Sequence, residues 1–173
     1  MAVFLEILKY AVPAILVVFV TYLMLSNYFD NEEKQRKYLL KRENQKSSLP
    51  LRMAAYERMV LFLERISPNS LLVRIPAGKL GLRDYQSLLQ KSIRDEFEHN
   101  LSQQVYLSDE AWLRVVQAKA SMVGIINKIA SEIDPSVPGL ELSKRVLEYS
   151  MSTEEFPTKR AIHFLKAELR DEL

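Results

Sequence analysis

Residues 10–29 read YAVPAILVVFVTYLMLSNYF, a stretch of twenty positions without one charged side chain. Half of these residues are Leu, Ile, Phe or Val, and together they favour membrane insertion by roughly 3–6 kcal/mol. A helix of this length reaches about 30 Å, the thickness of the hydrocarbon core of a bilayer. Tyr10 and Tyr28 stand near its two ends, where aromatic residues meet the membrane interfaces. The stretch predicts a transmembrane anchor over residues 1–29 that contacts the lipid bilayer through residues 10–29.

Two alternatives compete with an anchor at the N-terminus. A cleaved secretory signal peptide has a basic start, a shorter apolar run and a small-x-small cleavage site. Here the N-terminus carries Glu6, the apolar run is longer, and Ser26–Asp30 offers no such cleavage site. The second alternative is a buried core helix of a soluble protein. The aliphatic run Ile15–Val20 does not exclude it.

The charges beside the apolar stretch predict how it is oriented. Residues 30–46 hold six lysines and arginines, whereas residues 1–9 hold only Lys9. Because basic residues stay on the cytoplasmic side, we expect a single-pass protein of the inner (cytoplasmic) membrane with its N-terminus outside and its body cytoplasmic. Glu33 and Lys37 form one of the i, i+4 charge pairs that stabilise an exposed helix. Residues 30–49 are therefore predicted to form a polar juxtamembrane helical stalk.

Beyond the stalk, apolar residues recur at the spacing of amphipathic helices. A serine pair before Pro50 resembles a helix start, and Ser108 with two following acids resembles another. The run 71–75 is expected to be extended or a short helix, because no second strand-like run exists to pair with it. The predicted fold class is all-α, with a cytoplasmic helical domain over residues 50–173 built as a bundle of four to five helices. The predicted helices are 51–66, 82–104, 108–133, 140–149 and 157–169.

Composition excludes several classes of function. From residue 47 onward, basic and acidic residues are equal in number, so the body lacks the positive field of a nucleic-acid-binding protein. The chain has no cysteine, which excludes thiolate catalysis and cysteine-ligated metals. Its four glycines do not form a phosphate-binding loop. We expect no cofactor, no metal, no small-molecule substrate and no catalytic residues.

One histidine supports an alternative function. Glu96 and His99 have the Glu-x-x-His spacing of di-iron carboxylate bundles. Such sites need a second copy of the motif, and the other histidine, His163, follows Arg160 rather than a glutamate. A signalling or metal-dependent module acting through His99 is therefore the alternative to a non-enzymatic role.

The polar end of the third predicted helix suggests a surface for a partner. His99, Asn100 and Gln103 share one outer face by helical spacing, with Phe97 and Leu101 as the inward contacts. Neutral amides both donate and accept hydrogen bonds, with little charge to desolvate. These three residues are the predicted partner-binding site. The competing interpretation is a solvated helix end.

Two segments carry a resemblance to a known group of proteins. Residues 51–72 read LRMAAYERMVLFLERISPNSLL, and residues 94–106 read RDEFEHNLSQQVY. With the N-terminal anchor and the stalk, they resemble a family of small, uncharacterised single-span membrane proteins of Gram-negative bacteria, a domain of unknown function. The resemblance runs from the anchor to about Ile133 and implies the same topology, without catalytic residues. The predicted function is a non-enzymatic scaffold or accessory subunit of an inner-membrane complex, which binds a protein partner or forms a homo-oligomer.

Overall fold

The computed structural model describes residues 2–171, with the side chains of residues 16, 17, 19–26, 28, 29, 31–40 and 48–171. Over residues 2–171 the chain is all-α, with no β-strand, as the sequence predicts. The α-helices are α1 (Ala2–Ile66), α2 (Pro68–Arg74), α3 (Leu82–His99), α4 (Asp109–Ser131), α5 (Gly139–Ser152) and α6 (Pro157–Asp171). A 3₁₀ helix, here called the 3₁₀ segment, spans Leu101–Tyr106 between α3 and α4.

The chain divides into two compact units by its internal contacts. The N-terminal unit is Met1–Leu49, and the second unit, here called the body, is Pro50–Leu173. The N-terminal unit is helical over residues 2–49, and α1 ends inside the body at Ile66. Glu33 and Lys37 form the predicted exposed salt bridge of the stalk, at 2.7 Å. Lys37 donates a hydrogen bond to Glu33, and this bond holds the pKa of that carboxyl below its usual value.

The predicted helix start at the serine pair before Pro50 is wrong. α1 is assigned as one helix through Pro50. Proline at this position removes one main-chain donor from the helix, but the hydrogen bonds before and after it do not depend on that donor. A cap-like sequence can therefore lie in the interior of a helix.

The part of α1 in the body contributes one side of the core. Tyr56, Met59, Leu63 and Ile66 are buried, as their helical spacing predicts, whereas Met53 is exposed. Each fully buried side chain of this size stabilises the fold by about 1.5–3 kcal/mol. α2 follows after a single residue and buries Leu71 and Leu72, so the 71–75 run begins as a short helix.

The long helices α3 and α4 form the centre of the body, and α4 packs against α3, α5 and α6. The Ser108 hydroxyl accepts a hydrogen bond from the Ala111 N–H at 3.0 Å, which confirms the predicted N-cap of α4. Cap bonds of this kind satisfy one of the free N–H groups of a helix start. The buried side chains of these helices include Tyr85, Leu89 and Ile93 from α3 and Val115, Met122 and Ile126 from α4.

Two connections of the body are joined through their main chains. Gly81, before α3, forms an isolated antiparallel bridge with Pro138, before α5. The Gly139 N–H donates to the Leu80 carbonyl at 2.9 Å. We call this pair of contacts the main-chain clamp. It fixes the start of α5 beside the start of α3, where Tyr85 is buried and donates its hydroxyl to the Ile75 carbonyl at 2.8 Å.

Candidate functional site

The predicted partner-binding residues do not share one outer face. His99 is the last residue of α3 and is exposed, and Gln103 lies half-buried in the 3₁₀ segment. Asn100 is only 8% exposed. Its side-chain Nδ2 donates to the Glu96 carbonyl at 2.8 Å. The predicted outer-face position is wrong for Asn100, because this amide binds the end of the helix instead of facing solvent. The partner-binding role of the three residues stays a prediction.

The reason for this difference is that α3 ends five residues earlier than the sequence predicts. The Asn100 N–H still donates to the Phe97 carbonyl, but the backbone then enters the 3₁₀ segment. Helical i, i+3 and i, i+4 spacing therefore does not apply across this point. Phe97 is half-buried against the core as predicted, while Leu101 is 42% exposed instead of inward.

Glu96 is the most connected charged residue of the region. Its Oε1 lies 2.8 Å from Arg65 Nε, and its Oε2 lies 3.1 Å from Arg74 Nη1. Arg74 Nη2 also donates to the Arg65 carbonyl at 3.2 Å. One carboxylate thus joins α1, α2 and α3. The sequence shows Glu96 beside His99, but the pairing with two arginines depends on the packing of three helices.

The surroundings of His99 do not complete the metal site that the Glu-x-x-His spacing suggests. His99 lines a surface depression of about 540 Å³ together with Arg65, Lys91, Asp95 and Glu96. Both oxygens of Glu96 are already paired with arginines, so the Glu-x-x-His spacing does not yield two free ligands. Among the residues that the structure describes, no group of three histidine, aspartate or glutamate side chains could hold a metal ion.

An aromatic stack lies beside this region. The rings of Phe97 and Trp112 are stacked with centroids 5.4 Å apart, and the centroid of the Phe62 ring lies 5.7 Å from that of Phe97. Lys119 Nζ stands 3.8 Å from the centroid of the Phe97 ring, which is a favourable cation–π distance. Trp112 is half-buried and packs against the edge of the core.

The apolar segment of α1 is exposed wherever its side chains are described. Tyr22, Leu23, Met24 and Leu25 occupy successive positions around the helix, and all four are exposed. No helix meets the length and hydropathy needed to cross a membrane when only the described residues are considered. The predicted anchor lies partly outside them, because the side chains of 10–15, 18 and 27 are not described. The membrane span remains a prediction.

Comparison with protein families gives a match that covers nearly the whole chain. It covers residues 2–172, so it continues past Ile133, where the resemblance was expected to fade, and includes α5 and α6. No curated protein and no solved structure matches the chain. The match thus includes the helical body, with both segments that carry the resemblance, residues 51–72 and 94–106. The chain belongs to a family of unknown function, DUF7935.

Proposed function

We propose that this chain is a membrane-anchored, non-enzymatic scaffold or accessory subunit of an inner-membrane complex. The observation that carries this proposal is the exposed apolar surface around α1 at Tyr22–Leu25. A helix that is apolar on every side is stable when it is surrounded by an apolar medium, either a protein core or a bilayer. The charge-free stretch from Tyr10 to Phe29 has the length for a bilayer.

The distribution of charged residues supports a cytoplasmic location of the body. Six lysines and arginines follow the apolar stretch within residues 30–46, and one precedes it. This asymmetry favours a cytoplasmic body with the N-terminus outside. A reporter enzyme that is active only in the periplasm, fused after Leu173, should stay inactive. Strong activity of that fusion would contradict the orientation.

A docking role is supported by the apolar side chains that the body leaves exposed. The 3₁₀ segment has no buried residue, and it exposes Leu101, Val105 and Tyr106. Val105 is 76% exposed. Exposed apolar side chains grouped on one short segment are typical of protein interaction sites. In this proposal His99 and Gln103 lie at the edge of the docking surface. Asn100 supports that surface through its hydrogen bond to the Glu96 carbonyl.

The membrane anchor can be tested with two matched double variants of the full chain. Val20→Lys with Leu23→Lys places two charges in the apolar segment, at a cost of roughly 5–7 kcal/mol if it spans a bilayer. Gln35→Lys with Tyr38→Lys adds the same charges at the same spacing in the stalk. We expect the wild type and the stalk variant to remain in membranes after alkaline carbonate washing, and the first variant to be released.

The outcome of this fractionation is decisive for the anchor. Release of the wild-type chain by carbonate, or retention of both double variants, would refute membrane spanning. Docking is tested separately by in-cell crosslinking of two variants, Val105→Ser and Val73→Ser. Val73 of α2 is the control, because it is similarly exposed, at 83% against 76% for Val105. A crosslinked band that is lost only with Val105→Ser supports the docking surface, and a band that is unchanged in both variants contradicts it.

A further inference from the structure

A groove with its own chemistry lies between α3 and α4. It has a volume of about 430 Å³, within the range of 300–1,000 Å³ that is typical of small-molecule sites in proteins. Its apolar lining comes from Ile93 of α3 and from Ala120, Val123 and Gly124 of α4. A Cβ atom built on Gly124 meets nothing within 4 Å, so the space above this residue is open. The groove therefore offers an apolar floor to a ligand.

The charged lining of the groove is entirely positive. Arg94 of α3 and Lys119 of α4 line it, and no carboxylate does. In the described part of the chain, neither cation takes part in a salt bridge. Lys119 instead stands over the Phe97 ring. Two cations that form no salt bridge and lie beside an apolar floor favour a ligand that carries negative charge.

Amide groups mark the other end of the groove. Asn127 Oδ1 accepts a hydrogen bond from Gln86 Nε2 at 2.8 Å and another from Gln90 Nε2. Gln90 and Asn127 both line the groove. Along α4, the distance from Lys119 to Asn127 is about 12 Å. The groove thus has a cationic end, an apolar middle and a neutral polar end.

We propose that this groove binds a small amphiphilic anion, a medium-length aliphatic chain that ends in a carboxylate or phosphate. The anionic head pairs with Arg94 and Lys119, and the chain lies over Ala120 and Gly124. A partner helix is the less favoured occupant, because a stable protein interface needs about 800 Å² on each partner, whereas this groove is a local cavity. The inference concerns a bound ligand and does not rest on the proposed docking role.

The natural reporter for this site is Trp112, the only tryptophan of the chain. It stacks on Phe97, whose other contacts include Lys119, so movement of the lysine toward an anion changes the surroundings of the indole. The full-length protein is titrated with octanoate, octyl phosphate, octyltrimethylammonium and 1-octanol. Fluorescence and calorimetry are recorded together, and the same solubilising medium without protein serves as the blank. Comparison of octanoate with octyl phosphate distinguishes the two head groups.

We expect saturable binding of one or both anions at one site per chain, and at least tenfold weaker binding of the cation and the alcohol. Gly124→Leu fills the open space and should weaken anion binding by at least tenfold without lowering Tm. Lys119→Met should also weaken it, measured by calorimetry because this change alters the stack itself. Lys128→Met, an exposed lysine of α4 outside the groove, is the control and should bind like the wild type.

Three results would overturn the proposal. The first is the absence of saturable binding of either anion. The second is equal binding of the cation, which would show a merely apolar site. The third is wild-type affinity in Gly124→Leu, which would place the anion elsewhere on the chain. If an acidic peptide binds while neither anion does, the first result holds and the partner helix is the occupant instead.

Discussion

The replacement Gly139→Ala tests the packing of α5 against α3. An added Cβ would lie 2.7 Å from Tyr85 Cβ and 3.1 Å from the Leu80 carbonyl oxygen. The nearest atom is bonded directly to the backbone of α3, so a change of rotamer cannot move it away. The Tyr85 hydroxyl is also held by the Ile75 carbonyl. The start of α5 must therefore shift, and the clamp bond from Gly139 to Leu80 is strained with it.

The size of the effect follows from overpacking. One extra methyl group in a closely packed site costs about 1–3 kcal/mol of unfolding free energy. For a body of roughly 120 residues, the entropy of unfolding converts 1 kcal/mol to about 4 °C in Tm. We expect Gly139→Ala to lower Tm by about 4–12 °C. The matched control is Gly124→Ala on the exposed face of α4, where a Cβ meets nothing and alanine stabilises the helix by about 1 kcal/mol.

The assay is thermal unfolding of the full-length variants, followed by circular dichroism at 222 nm. The two replacements add the same methyl group, so opposite signs of the Tm shift identify the local packing as the cause. The reasoning is refuted if Gly139→Ala is as stable as the wild type, or if both variants shift in the same direction by similar amounts.

Three further predictions concern single side chains. Glu96→Gln should lower the unfolding free energy by about 1–3 kcal/mol in urea titrations, because the carboxylate, with its side chain 18% exposed, pairs with two arginines; unchanged stability would show that these pairs contribute nothing. Ser108→Ala should cost about 1 kcal/mol by loss of the cap, whereas Ser108→Asn should preserve it, and equal losses in both variants would contradict the cap. Ser136 donates two hydrogen bonds to Asp134, the stronger influence coming from its main-chain N–H and the weaker from its hydroxyl, and they hold the pKa of that carboxyl below 3.8. The stability that this group contributes is therefore present above pH 3.8, and it is lost as the pH falls through the lower pKa of the folded state. Ser136→Ala removes only the hydroxyl and should raise the pKa of Asp134 part of the way back, measured by NMR titration; a further fall would contradict the assignment.

The fold was predictable where local signals and tertiary packing agree. The Ser108 cap of α4 and the buried stripe of Tyr56, Met59, Leu63 and Ile66 follow directly from residue type and spacing. The start predicted before Pro50 fails, because cap preferences amount to only about 1 kcal/mol and a long helix can retain its hydrogen bonds on both sides of a proline. The local sequence alone therefore does not show whether a helix starts before Pro50 or continues through it.

The positions of the predicted partner-binding residues were less predictable, for a geometric reason. The sequence around Asn100 continues the helical pattern, so the change from α3 to the 3₁₀ segment has no clear local signal. Because α3 ends at His99, five residues before the predicted end, different side chains point outward, and Asn100 is buried while Leu101 is exposed. The pairing of Glu96 with Arg65 and Arg74 needs three helices in place. No spacing rule within one helix could predict it.

The main-chain clamp also has a consequence for the order in which the body folds. It closes a loop from Gly81 to Pro138 that contains α3, the 3₁₀ segment and α4. Closing so long a loop in an unfolded chain costs about 3–4 kcal/mol of entropy, and a loop as short as the connection between α3 and α4 costs about half as much. We therefore expect α3 to pair with α4 first and so to bring the two ends of the loop together. We also expect the amide of Gly139 to become protected from hydrogen exchange only after that pairing is complete.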